Sequence, residues 1–327
     1  MRDSVTPLLR QIAKRLTGTL DLAARSVEGT VRRTGSTVEA GARDFREADE
    51  RSSHLLEEAT AVRQPHPMHA ARNRTWNYQP SAAESAMRAR RLTTEVKFSG
   101  DMTHAVARSS TEVRKMRSDD GELNIYKPIH GETYDPHLPF IHAPGALTSR
   151  EIAAYRVDEA LGFGRVPPTA RTDGVIGPDG TPSGPGMVQQ FVDSEQARAV
   201  SDYPKVQQQQ VGVLDYVIGM LDRHPGNYRT VDRGDHLDVV AIDHGRSFPV
   251  STRPLEIGID SDFVAAQKGE RLEADVLRAV KDVDMDRFRA ALGDAGLHPN
   301  AVDGAVARLE KIRDLQMIPA DVRLLPP

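Results

Sequence analysis

Apolar positions near the start of the chain recur at three- and four-residue spacing. Leu8, Leu9, Ile12, Ala13 and Leu16 form one stripe, extended weakly by Leu20, Leu22, Ala23 and Val27. That period predicts helix, and a second helix is expected from about Ser36 to Ala61. The stretch GARDFREADERSSHLL offers few large apolar side chains. Residues 1–62 therefore read as a helical appendage that pairs with a partner helix or stays exposed. Residues 63–92 mix Pro, Arg, Asn and His without period and are expected to be a linker, pinned in part by Trp76 and Tyr78.

From residue 93 the pattern shortens to that of strands. THAVARSSTEVRKMRSDDGELNIYKPI reads as two strands around a turn at Asp119-Asp120-Gly121. TSREIAAYRVDEAL predicts an amphipathic helix, stopped by Gly162, Gly164 and Pro167-Pro168. GPGMVQQFV is a short strand, VQQQQVGVLDYVIGML a long buried helix, and DVVAIDHG a nearly continuous apolar strand. Beyond about residue 254 helical periodicity dominates, in SDFVAAQ, RLEADVLRAVKDV, MDRFRAALGDAG and NAVDGAVARLEKIRDL. The expectation is an α+β domain over 93–327, with a small β-rich lobe over about 93–192 and a mostly helical lobe over about 193–327.

Composition narrows the function classes. With 39% hydrophobic and 28% charged residues among 327, a folded chain is expected. The absence of cysteine excludes disulfides, thiolate metal sites and cysteine nucleophiles together, and fits a reducing, cytoplasmic location. No apolar run approaches the roughly 20 residues of a membrane span, and the N-terminus lacks the apolar core of a signal peptide. Charge is uneven: residues 1–92 hold 16 Lys and Arg against 11 Asp and Glu, whereas 93–327 hold 27 against 36. An acidic main domain argues against nucleic acid as its partner.

The candidate chemistry is concentrated in two short stretches. In LDRHPGNYRT, Asp222 and Asn227 lie five apart in a loop that Pro225-Gly226 forces to turn. Asp243 follows at the end of the apolar run VVAI. Phosphoryl transfer asks little covalent help of a protein; it needs a divalent ion held against the phosphates and an acceptor hydroxyl aimed at the γ-phosphorus. Hard oxygen donors such as Asn227 and Asp243 suit Mg²⁺ or Mn²⁺, with phosphates and waters filling the remaining positions. Taken singly, each is as well explained as a turn former or helix cap.

DRHPGN followed by AIDHGRSFP resembles the catalytic and metal loops of the phosphatidylinositol 3-/4-kinase-like proteins, closest to uncharacterised actinobacterial members. The resemblance covers about residues 95–260 and implies a two-lobed kinase-like fold that moves the γ-phosphate of ATP to a hydroxyl of a lipid, protein or small molecule. It implies that Asp222 serves the acceptor, with His224 either assisting as a base or bracing the loop, and that Asn227 and Asp243 hold the metal. NIYKPIHGE resembles the strand carrying the ATP-phosphate lysine, here Lys127. SREIAAYRVDEAL resembles the next helix, which makes Glu151 the ion-pair partner of Lys127, in competition with Glu159. GPGMVQQFV resembles the hinge, where backbone groups from Gln190 to Val192 would meet adenine.

The segment covering the phosphates departs from the usual pattern, since residues 104–118 contain no glycine. Hydroxyls of Ser109, Ser110 and Thr111 would serve instead, and nucleotidyl transfer stays open. A non-catalytic nucleotide-binding or scaffold protein of the same fold, or a secreted effector kinase, are the alternative readings. TGSTVEAGARDFREADERSSHLL resembles the end of type VII-exported helical-hairpin proteins, with Phe45 and Asp49 four apart. That resemblance implies a helical partner for residues 1–62 and non-classical export.

Overall fold

The computed structural model describes residues 78–325, apart from 108, 110, 134–137, 139, 140, 142 and 175–183. The appendage expected over 1–62, and Ser110, lie outside the described residues. Asn73–Pro327 forms a compact unit by itself.

The unit begins with a helix, α1 (Ala82–Ala89), whose first turn is capped by Ser81 Oγ accepting from the Glu84 N–H at 3.1 Å. Strand β1 (Leu92–Glu95) follows, then a short helix α2 (Asp101–Ala107), and strands β2 (Arg114–Ser118) and β3 (Leu123–Pro128). The long helix α3 (Ala146–Leu161) precedes β4 (Thr169–Thr172) and β5 (Gly186–Gln190). The five strands form one antiparallel sheet in the order β1-β2-β3-β5-β4. The β2–β3 turn falls at Asp119-Asp120-Gly121 as expected; Ser118 Oγ donates to Asp120 Oδ1 at 2.5 Å and Gly121 supplies the positive φ of 91°. Gly186 opens β5 because a Cβ there would lie 2.3 Å from the Lys127 carbonyl oxygen. That close approach seats β5 against the strand that carries Lys127.

The linker expected over 63–92 is partly structured. Residues 82–89 are helical and Leu92 opens the sheet. The missing period is that of a helix too short to show one. What fixes it is a buried charge pair invisible in local sequence: Glu84 accepts from Arg156 at 2.7 and 3.0 Å, and both are almost wholly excluded from solvent. Met87 adds an apolar anchor to the small core under the sheet, with Leu92, Met116, Tyr126, Ala170 and Val188. Thr103–Ala107, read as the start of a strand, is helix instead.

The second lobe contains α4 (Lys205–Ile218), the hairpin β6 (Tyr228–Asp232) and β7 (Leu237–Ala241), and helices α5 (Asp262–Gln267), α6 (Ala274–Asp282), α7 (Met285–Asp294) and α8 (Pro299–Leu315). Its core joins Leu214, Val217, Phe248, Val264, Phe288, Leu309 and Ile312 to Ile152 and Val157 of α3. Helix α3 is buried on nearly every face rather than one, from Thr148 to Asp158. Wedged between the sheet, α4 and α7, it buries polar side chains that find specific partners. Among the described residues, no helix is long and apolar enough to cross a membrane.

Candidate active site

Lys127 reaches the site because β3 alternates: Tyr126 is buried under the sheet while Lys127 faces the opposite side, toward α3. Its Nζ donates to Glu151 Oε1 at 2.6 Å and to Asp243 Oδ1 at 2.9 Å. Glu151 is thus the partner of Lys127. Glu159 instead accepts from the Tyr155 hydroxyl at 3.0 Å. Burial alone would push the Lys127 amine down and the Glu151 carboxyl up. Mutual attraction, with Asp243 acting on the amine and His244 on the carboxyl, wins in both: the lysine is held above its usual range and the glutamate below it.

The second oxygen of Glu151 is occupied too. Oε2 accepts from the His244 backbone N–H at 2.9 Å, which ties α3 to the residue after Asp243. Arg150, one position earlier, donates through Nε to the Ser247 carbonyl at 2.7 Å, and Ser247 Oγ donates to the His244 carbonyl at 2.6 Å. Asp243 itself has φ of 56°, an uncommon conformation for a residue with a side chain, held by these bonds.

Asn227 and Asp243 are brought together by the β6–β7 hairpin. Tyr228 pairs with Ala241, and Ile242 N–H donates to the Asn227 carbonyl at 3.0 Å, so both residues stand at the hairpin's open end. The Asn227 amide nitrogen donates to the Asp222 carbonyl at 2.6 Å, which fixes the carboxamide, and its oxygen accepts no bond among the described residues. Beneath them lies fully buried Arg223. It donates through Nη1 to the Ile242 carbonyl at 2.6 Å and also to that of Asn227, and through Nε and Nη2 to Asp215 of α4. Ser261 Oγ completes that carboxylate at 2.7 Å. This guanidinium links both candidate metal ligands to the buried helix.

Asp222 is half-buried, and desolvation pushes its carboxyl up from the usual range against the pull of Arg246 and His224. His224 Nδ1 accepts from Gly226 N–H at 2.9 Å, and its Nε2 lies 3.9 Å from Asp222 Oδ1. The ring thus bridges the Pro225-Gly226 turn through Nδ1 and turns its Nε2 side to Asp222.

A cleft between the lobes is lined by Thr111, Lys127, Glu132, Thr148, Glu151 and Asp243, among others. Of Ser109 and Thr111, only Thr111 lines that cleft; Ser109 Oγ lies 3.2 Å from the Thr111 hydroxyl. The 96–113 connection joins β1 to β2 and contains Gly100, upstream of the glycine-free 104–118 stretch. Glu132 was missed altogether. Its carboxylate accepts from the N–H groups of Gly145 at 2.9 Å and Thr148 at 2.8 Å, capping the free end of α3 at the cleft wall. Its place in NIYKPIHGE, five after Lys127, was the available signal. After β5, Gln190 N–H is committed to the Pro168 carbonyl and Phe191 N–H to that of Leu123, whereas Val192 N–H makes no backbone bond among the described residues.

No group of three acidic or histidine side chains that could hold a metal by themselves occurs among the described residues. Asn227 and Asp243 provide two hard oxygen donors, a set that fits a cation completed by phosphate oxygens and water, not a closed protein cage.

Residues 179–282, which include Asp222, Asn227 and Asp243, match the sequence profile of phosphatidylinositol 3- and 4-kinase. The chain is similar to phosphatidylinositol 4-kinase gamma 4 of Oryza sativa subsp. japonica, 34% identical over 164 aligned positions that take in 41% of this chain and 28% of the relative. Among solved structures it is similar to the Golgi casein kinase with Mn/ADP bound, at 14% identity and a TM-score of 0.46, covering 73% of this chain and 78% of that one. It is also similar to the Helicobacter pylori proinflammatory kinase CtkA, at 12% identity and a TM-score of 0.44, covering 71% and 94%. The described residues form two lobes, an antiparallel sheet lobe followed by a helical one.

Proposed function

We propose that this phosphatidylinositol 3-/4-kinase-like chain is an ATP-dependent phosphotransferase that moves the γ-phosphate to a hydroxyl group of its acceptor. The observation that carries the reading is the closed set of bonds from Lys127 through Glu151 to the Asp243 loop. Three residues far apart in sequence are held at one cleft, each with the side chain the chemistry requires. A chain that had lost catalysis would be free to lose one of them.

In this reading Lys127 neutralises phosphate charge, and Glu151 holds the amine in place. Val192 N–H is the hinge group open to adenine. Asn227 Oδ1 and the Asp243 carboxylate would hold a divalent cation, Mg²⁺ or Mn²⁺, which when bound draws charge from the phosphate oxygens. Asp222 orients the acceptor hydroxyl and takes its proton as the new O–P bond forms and the β–γ bridging bond breaks, releasing ADP. A carboxyl already pushed upward by burial accepts that proton more readily.

The test is a γ-labelled ATP assay against inositol lipids, generic proteins and the protein itself. Label is expected on one of these acceptors with the wild type and none with Asp243→Ala. Asp222→Asn is expected to lower kcat while leaving nucleotide binding intact, because it serves the acceptor. Wild-type turnover in the Asp243 variant would remove the metal assignment.

A further inference from the structure

Buried beside Lys127, Glu151 and Asp243 is one more chemistry-bearing side chain, His244. It is fully excluded from solvent. Its Nδ1 lies 3.4 Å from Glu151 Oε2, and neither ring nitrogen has a well-formed hydrogen bond among the described residues. Arg223 and Asp215 also act on its charge. Arg223 can only repel a protonated ring, and both carboxylate oxygens of Asp215 are taken by Arg223 and Ser261. Glu151 is the acceptor that remains.

A neutral imidazole carries one N–H, and leaving such a group without a partner in a dry interior is unfavourable. An apolar ring of similar shape would avoid that cost. Glu151 also needs a fixed orientation. Oε1 receives Lys127, and Oε2 receives the His244 backbone N–H. One bond on each oxygen still lets the carboxylate tilt about the line joining them; a second donor to Oε2 from the ring side would fix its plane.

We infer that His244 is a positioning residue: its ring Nδ1–H and its own backbone N–H together hold Glu151 Oε2, so that Oε1 is presented to Lys127. The hold is a property of the nucleotide-free protein. Its value to turnover rests on the phosphotransferase reading. The residue after the metal-loop aspartate thereby makes helix α3, strand β3 and the metal loop one unit.

The experiment has two arms, both on the full chain. In the first, protein labelled with ¹⁵N-histidine is examined by imidazole NMR, and the spectrum of His244→Phe identifies the His244 signals among those of 11 histidines. The expected signature is the neutral tautomer protonated at Nδ1, with that signal shifted by Glu151→Gln. A ring protonated at Nε2, or one blind to Glu151→Gln, overturns the inference whether or not the protein is a kinase. In the second, kcat and the KM for ATP are measured for His244→Phe and His244→Asn beside the melting temperature. The Phe variant is expected to lose at least tenfold in kcat while melting no lower than wild type. Asn, which returns an N–H near the Nδ1 position, is expected to regain part of the loss. A Phe variant with wild-type kcat and KM overturns the positioning role. A wild type without MgATP turnover removes the phosphotransferase reading, and the NMR arm then decides the hold alone.

Discussion

Replacing Glu84 by Gln tests how the segment before the sheet is bound to the core. Arg156 donates to the two Glu84 oxygens at 2.7 and 3.0 Å, and its Nη1 meets the Ala291 carbonyl at 2.7 Å and Asp294 at 2.9 Å. The Tyr78 hydroxyl donates to Glu84 at 2.7 Å, and its ring lies 4.0 Å from the guanidinium. Gln keeps the volume and one acceptor oxygen but removes the charge and turns an amide toward a cation. Removing one partner of a buried pair costs about 3–5 kcal/mol, because the other charge is left without its counter-ion. Asp294 stays beside Arg156 but is 39% exposed, so it compensates only in part. The expected loss is therefore at the lower end, about 3 kcal/mol. For a unit of this size each kcal/mol moves Tm by about 2–4 °C, giving a fall of roughly 6–12 °C. Urea and thermal unfolding of the wild type and Glu84→Gln measure it directly. The double variant Glu84→Met with Arg156→Met should recover much of the loss, since apolar groups of similar volume leave no buried charge unpaired and Asp294 is exposed to solvent. A single variant within about 1 kcal/mol of wild type would refute the claim that this pair anchors α1 to α3.

A chain starting at residue 93 should unfold more easily than one starting at residue 73, because it lacks Glu84, Met87 and Leu92; urea midpoints of the two truncations compare them. MgATP should raise Tm by mass action, by roughly 2.7 kcal/mol at one hundred times Kd, and Lys127→Met should remove most of that shift. A shift unchanged in Lys127→Met would detach this residue from the nucleotide. Burial pushes the Asp158 carboxyl up to about 7, against the N–H groups of Arg165 and Val166. Its contribution to stability is thus full below about pH 4 and lost as pH rises through about 7. Unfolding free energies at pH 5.5 and 8 should accordingly fall more steeply in the wild type than in Asp158→Asn, and parallel profiles would contradict this.

Much of the molecule was written in local sequence. Gly162 and Pro167-Pro168 stop α3, the Asp-Asp-Gly turn sets the β2–β3 hairpin, and the apolar run before Asp243 becomes β7, because each depends on backbone preferences within a few residues. Lys127, Glu151, Asp222, Asn227 and Asp243 stand out as candidates in the sequence through the motifs they sit in, and the fold brings Lys127, Glu151 and Asp243 to one cleft. Burial and pairing could not be read in that way. That α3 is dry on nearly every face, that Glu84 belongs to it, that Thr111 and not Ser109 faces the cleft, and that Glu132 caps α3 all depend on groups many positions apart. The charge of Arg156 looks like solvated surface until Glu84 arrives from 72 residues away. His244, which carries no recognisable signal in AIDHG, gains its place only when the fold sets its ring against Glu151. Sequence supplied the donors and carboxylates; tertiary structure, through desolvation and long-range pairing, decided which of them meet.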